Sequence, residues 1–147
     1  MSKTEDSIAE GVADLLGPGE TIMSALVVSP RGSATAAAGL AAGEIGRRWS
    51  NKNTSAAADA GLVFTRSSGL VLTNHRVLTL DLAISMTGAV KEVKSLLSEL
   101  PLDQVDSIRS KWNVLTIGVG ESEFKLECKP PAAKALAKAF AGARTRR

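Results

Sequence analysis

Apolar residues recur along this chain at two different periods. Near the N-terminus Ile8, Val12, Leu15 and Leu16 stand at i, i+4, i+7 and i+8, and both Ser2 with Glu5 and Ser7 with Glu10 fit a capping box. This predicts an amphipathic helix over 5–16, stopped by Gly17, Pro18 and Gly19. Thr21 to Val28 then follows a period of two, with Ile22, Leu26 and Val28 on one side and Met23, Ala25 and Val27 on the other. A strand with apolar residues on both sides is expected to be buried on both.

After Leu62 the period of two dominates. Leu70 and Leu72 alternate with Val71 and Thr73, the polar Asn74-His75 step predicts a tight turn, and Leu78, Leu80, Leu82 and Ile84 share one side of the next strand. Leu96 to Leu100 fits either period, because Val90, Val93, Leu97 and Leu100 also stand at helical spacing. Pro101 ends that segment, and Val105 to Arg109 reads as a further short strand. Leu115, Ile117 and Val119 alternate, Gly120 to Ser122 turns, and Phe124, Leu126 and Cys128 point inward opposite Glu123, Lys125 and Glu127. Pro130 and Pro131 then open a helix with Ala132, Leu136, Ala139 and Phe140 as its apolar stripe and Gly142 as its expected end.

Between these regions, 32–60 obeys neither rule cleanly. If its first half is helical, Gly32, Ala36, Gly39, Gly43 and Gly46 form a stripe of small residues that permits close approach of another element, with Trp49 just beyond. The alternative is a disordered low-complexity connection, since each glycine costs helix stability. Both remain open at this point.

Composition adds a few limits. The 147 residues are 44% hydrophobic and 22% charged, the balance of one globular domain. A domain of this size buries roughly 70% of its unfolded surface, so no staple is required. Aromatics supply only 3% of residues, so the core must be aliphatic. The single cysteine, Cys128, excludes an intrachain disulfide and fits a reducing, cytoplasmic setting. No secretory leader is legible in Met1 to Asp14. The longest largely apolar run, Ala34 to Gly43, falls far short of the ~20 residues that span a bilayer.

Candidate chemistry is sparse. His75, the one histidine, sits in an expected turn, without a Gly-x-Ser-x-Gly elbow to serve. Cys128 continues an inward alternation and reads as a core residue, Asp103 and Asp106 as solvated turn acids. No pair of ligands has metal spacing, and no glycine-rich segment is followed by the Lys-Ser/Thr step of a phosphate loop. No cofactor or enzymatic activity is expected. The formal charge of +3 owes much to Arg144, Arg146 and Arg147 in the tail 143–147. Basic residues without interleaved aromatics do not suggest nucleic-acid binding.

Two segments carry a family resemblance. Gly69-Leu70-Val71-Leu72-Thr73-Asn74-His75-Arg76-Val77-Leu78 resembles the second-to-third strand hairpin of bacterial-type pleckstrin-homology domains. Leu100-Pro101-Leu102-Asp103-Gln104-Val105-Asp106-Ser107-Ile108 is similar to the start of their fifth strand. The resemblance extends from Gly69 to Phe140; the N-terminal helix and the 32–60 insertion are additions to it. It implies a mainly β, α+β domain over 1–147: about seven antiparallel strands in two near-orthogonal sheets forming a sandwich or partly open barrel, capped by the helix 130–142. Such domains bind proteins, peptides or lipid headgroups, and fold alone does not choose among these. The expectation is a non-catalytic module for protein interaction or self-assembly, through the small-residue stripe, Trp49 or an unpaired sheet edge. The alternative is peripheral binding of anionic lipid, for which Arg31, Arg47, Arg48, Lys52 and Lys91 are the basic candidates.

Overall fold

A computed structural model describes residues 3–30, 40–65, 67–86 and 89–145, with backbone alone for 3, 40–47, 49–50 and 144–145. The elements in chain order are α1 (Lys3–Val12), β1 (Ile22–Pro30), α2 (Leu40–Asp59), β2 (Ser68–Thr73), β3 (Arg76–Ile84), β4 (Val90–Pro101), β5 (Ser107–Lys111), β6 (Val114–Val119), β7 (Ser122–Glu127) and α3 (Pro130–Thr145). Short 3-10 turns follow α1 and β4.

The seven strands are antiparallel in the order β4-β3-β2-β1-β7-β6-β5. β1 to β4 form one consecutive ladder and β5 to β7 another. Among the described residues the two meet only where Ser29 and Pro30 of β1 pair with Glu127 and Leu126 of β7. Beyond that junction α2 takes over. It packs on β7 and β1, buries Ala57, and its Asn53 Oδ1 accepts from the Lys125 amide at 2.8 Å, so a side chain satisfies a strand donor that no neighbouring strand reaches.

Alternation decides where each side chain goes. Leu26, Val28, Leu70, Leu72, Val77 and Leu100 join Ile108, Leu115, Ile117, Phe124 and Leu126 in the larger apolar cluster, closed by Leu136 and Phe140 of α3. The Phe64 and Phe124 rings meet there at 5.8 Å between centroids, tilted by 54°. Such a pair adds about 0.5–1.5 kcal/mol beyond burial. The opposite side of the first ladder, with Ala25, Val71, Leu78, Leu80 and Leu82, packs against Ile8 and Val12 of α1. The expectation that both sides of the first strand are buried therefore holds, and α1 is the reason.

Several boundaries differ from the sequence expectations. The first helix spans Lys3–Val12 rather than 5–16, so Ser7 lies within it rather than capping it, and Leu15 is exposed in the following turn. The fifth strand is Ser107–Lys111, shifted because a 3-10 turn occupies Leu102–Gln104 and buries Leu102. Gly142 does not end the last helix, which continues to Thr145 because Ala143 still has core to bury. Its stripe is Ala133, Leu136, Phe140 and Ala143, with Ala132 and Ala139 only partly covered. The segment Leu96 to Leu100 is resolved as strand, within a β4 twelve residues long. Of the ambiguous 32–60 region, 40–59 is helical and 32–39 lies outside the described residues.

Candidate functional site

The turn that carries the family resemblance is a structural knot. Thr73 closes β2, and its hydroxyl oxygen accepts from the amides of His75 at 3.1 Å and Arg76 at 3.0 Å. Its single proton is directed to Glu20 Oε2 at 2.7 Å, with the Arg76 carbonyl at 3.1 Å as the other acceptor in reach. Asn74 fastens to the start of β1: its amide and Nδ2 donate to the carbonyls of Thr21 and Gly19, and Oδ1 accepts from the Thr21 amide. The His75 carbonyl accepts from Leu102 N at 3.0 Å, which ties the turn to the end of β4. The His75 side chain is exposed.

Arg76 is the centre of this knot. Its Nε and Nη2 donate to Glu20 Oε2 at 2.9 Å and Oε1 at 3.0 Å, Nη2 also donates to the Leu15 carbonyl at 2.7 Å, and Nη1 pairs with Glu99. The Glu20 side chain is only 3% exposed. Arg76, with the Gly17 amide and the Thr73 hydroxyl, brings its carboxyl down from 4.5 to about 2 against the opposing effect of burial. Sequence reasoning missed Glu20 entirely, since an acid after Gly-Pro-Gly looks like an ordinary loop residue. The only signal was an arginine in the turn with no acid adjacent to it.

Asp106 is engaged and Cys128 is half-buried. Asp106 Oδ2 accepts from the Gly120 amide at 2.6 Å, holding the β6–β7 turn. Burial, with Glu127 nearby, pushes the Cys128 thiol up to about 11. The reactive thiolate is therefore scarce at neutral pH. Cys128 is expected to alkylate with iodoacetamide at pH 8 at least tenfold more slowly than in the urea-unfolded chain; equal rates in a thiol-trapping time course would refute its burial. No cluster of three or more His, Cys, Asp or Glu able to hold a metal occurs among the described residues.

The basic candidates for lipid do not converge on one element. Arg48 and Lys52 stand one helical turn apart on α2, both exposed; Arg47 is on the same helix with its side chain outside the described ones. Lys91 is on β4 beside Glu92, and Arg31 lies outside the described residues. The small-residue stripe is likewise divided: Gly32, Ala36 and Gly39 lie outside the described residues, whereas Gly43, Gly46 and Trp49 are on the backbone of α2. Glu123, on β7, is paired with Arg109 at 3.0 Å.

Among the described residues, two surfaces that combine apolar groups with charge stand out. The first is the margin of the ladder beyond α1. Ile84, Val90 and Val93 are half-buried there, and Leu96, paired with Leu80, is exposed on the same side. Lys91, Glu92, Lys94 and Glu99 are exposed along the same strand. The second is the β5–β6 hairpin, where Trp112 is 77% exposed with a φ of 53°. Neither the scan against family models nor the search of curated proteins finds a match to this chain.

No helix among the described residues is long and apolar enough to cross a membrane.

Proposed function

We propose that the chain is a non-catalytic binding module of pleckstrin-homology type that acts through contacts with protein, including a second copy of itself. The strand order and the short β1–β7 junction support two ladders facing each other across the larger cluster, with α3 over one opening. In this reading the interior is filled by aliphatic side chains and the surface does the work.

The observation that carries it is the aliphatic margin of β3 and β4. Leu96 is exposed on the side of the ladder where Val90 and Val93 are half-buried, and the same strand carries exposed Lys91, Glu92, Lys94 and Glu99. Apolar centres with charged rims of mixed sign are the ordinary anatomy of protein contacts. Lipid binding through Arg31, Arg47, Arg48, Lys52 and Lys91 is the weaker reading, because these residues are spread over separate segments and Lys91 is next to an acid.

Sedimentation velocity across a hundredfold concentration range tests the proposal. The wild-type chain is expected to gain mass with concentration, and Leu96→Glu to remain monomeric with an unchanged circular dichroism spectrum. A wild-type chain that stays monomeric throughout, or a Leu96→Glu variant that associates equally well, would defeat self-assembly through this margin.

A further inference from the structure

Two exposed patches at different places on the chain are chemically complementary. The first is the β5–β6 hairpin, where Lys111 and Val114 pair across two central residues, Trp112 and Asn113. Trp112 is 77% exposed at a φ of 53°, the only non-glycine with positive φ among the described residues. A Cβ crowds the backbone at such an angle, so the turn favours glycine there. A large ring held at a strained position is not accounted for by the little it buries in its own chain. Its surroundings are apolar and basic. Val114 is half-buried, and the Cys128 amide donates to the Asn113 carbonyl at 2.9 Å. From there the chain runs through exposed Lys129 and half-buried Pro130 to exposed Pro131, with Lys111 and Lys134 exposed on either side. An indole on stiff apolar ground is the kind of anchor that carries protein contacts.

The second patch is the margin where α1 borders β4. Gly11 lies against Val93, and the shifted register sets Leu96 opposite Leu80 and Glu99 opposite Leu78, on the side that α1 covers. Arg76 binds both the Leu15 carbonyl and Glu99, which brings Leu15 to the same margin. Leu15 is 39% exposed and Leu96 38%. The charge beside them is acidic: α1 and the turn after it carry exposed Asp6, Glu10 and Asp14 and no basic residue after Lys3. Asp14, three residues on from Gly11, follows it along the flank that faces β4.

We propose that the Trp112 hairpin of one copy seats on the Leu15 and Leu96 margin of a second copy, with Lys111 and Lys129 meeting Glu10 and Asp14. This rests on the self-assembly reading and supplies the other half of the contact: the margin meets an unlike surface rather than its own image. Charge selects the occupant, because two such margins laid together would bring the acids of both α1 helices toward one another, whereas the hairpin brings lysines. A contact between unlike surfaces closes into a ring or a reciprocal pair when its rotation permits.

Sedimentation velocity on full-length variants tests the proposal. Trp112→Gly and Leu96→Glu are each expected to weaken association at least about tenfold with unchanged circular dichroism, since glycine accepts the positive φ and Leu96 is exposed. Mixed in equal amounts, the two should associate again as one-to-one pairs, because the first retains its margin and the second its hairpin. Lys111→Glu with Lys129→Glu should dissociate the wild-type assembly, as should Glu10→Lys with Asp14→Lys, and a chain carrying all four changes should regain it. Raising salt from about 50 to about 300 mM should weaken wild-type association roughly fivefold or more. Wild-type assembly that Trp112→Gly leaves unchanged would overturn the proposal while sparing assembly through the β4 margin, and would assign the hairpin to a different protein. Mixed variants that stay apart would overturn it in favour of a like-with-like contact. A wild-type chain that never associates would remove this proposal and the self-assembly reading together.

Discussion

Arg76→Ala is expected to cost about 3 kcal/mol or more of the folding free energy, measured by urea denaturation at pH 7. The substitution leaves the carboxylate of Glu20, 3% exposed, with only the Gly17 amide and the Thr73 hydroxyl as partners. It also deprives the Leu15 carbonyl and Glu99 of their donor. Against a total stability of about 5–15 kcal/mol, a loss of this size separates a folded chain from a marginal one. Glu20→Gln should cost less, because it removes the buried charge itself. Combining the two should cost less than their sum, a coupling that a double-mutant cycle reads directly. A loss below about 1 kcal/mol for Arg76→Ala would show the knot to be ornamental.

The same pair sets the acid limb of stability. Glu20 is lowered from 4.5 to about 2 in the folded chain, so between those values the unfolded chain binds the extra proton. Stability from this group is therefore complete above about pH 4.5 and is lost as pH falls toward 2; at its full extent it amounts to about 3 kcal/mol. In Glu20→Gln that part of the pH dependence should disappear while the rest of the acid transition persists.

Gly11→Ala is the second large effect, and its sign separates two principles. Helix propensity alone favours alanine by about 1 kcal/mol in an exposed helix. Here, however, a Cβ on Gly11 would stand 2.4 Å from Cγ2 and 2.8 Å from Cβ of Val93. Val93 is β-branched and held in a strand, so it cannot swing aside freely. Either α1 lifts or β4 bends, and the expected net loss is about 1–3 kcal/mol, a fall in melting temperature of roughly 3–10 °C. Displacing α1 would uncover Leu78, Leu80 and Leu82, so dye binding and hydrogen exchange of β3 should rise together. Val93→Ala in the same chain should recover part of the loss. A Gly11→Ala chain more stable than wild type would show that α1 does not approach the ladder this closely.

The strands were legible wherever one spacing repeated without interruption. Leu115, Ile117, Phe124 and Leu126 announce their hairpin because a solvated side and a buried side impose opposite demands on alternate residues. The first ladder was legible as buried on both sides, but what covers its second side required knowing that Ile8 and Val12 come back to it. The knot was hidden for a different reason. Glu20 and Arg76 are 56 residues apart, and nothing local in either segment requires the other. Gly142 misled because glycine ends a helix only where the backbone needs a left-handed residue, and here the core still reaches Ala143. Trp112 was passed over because its alternation with polar neighbours conceals a backbone angle that sequence does not print.

The sequence also offered an unpaired sheet edge as a place for a partner to add a strand, and β4 bears on this. Its pairing with β3 shifts register at three places, between Thr79 and Leu80, Asp81 and Leu82, and Ala83 and Ile84. A strand kinked so often, and carrying Lys91, Glu92, Lys94 and Glu99, presents no straight row of donors and acceptors for a newcomer to copy. Crowded solutions of this chain should therefore give assemblies of definite size instead of fibrils, since growth by templated hydrogen bonding is interrupted at the first kink.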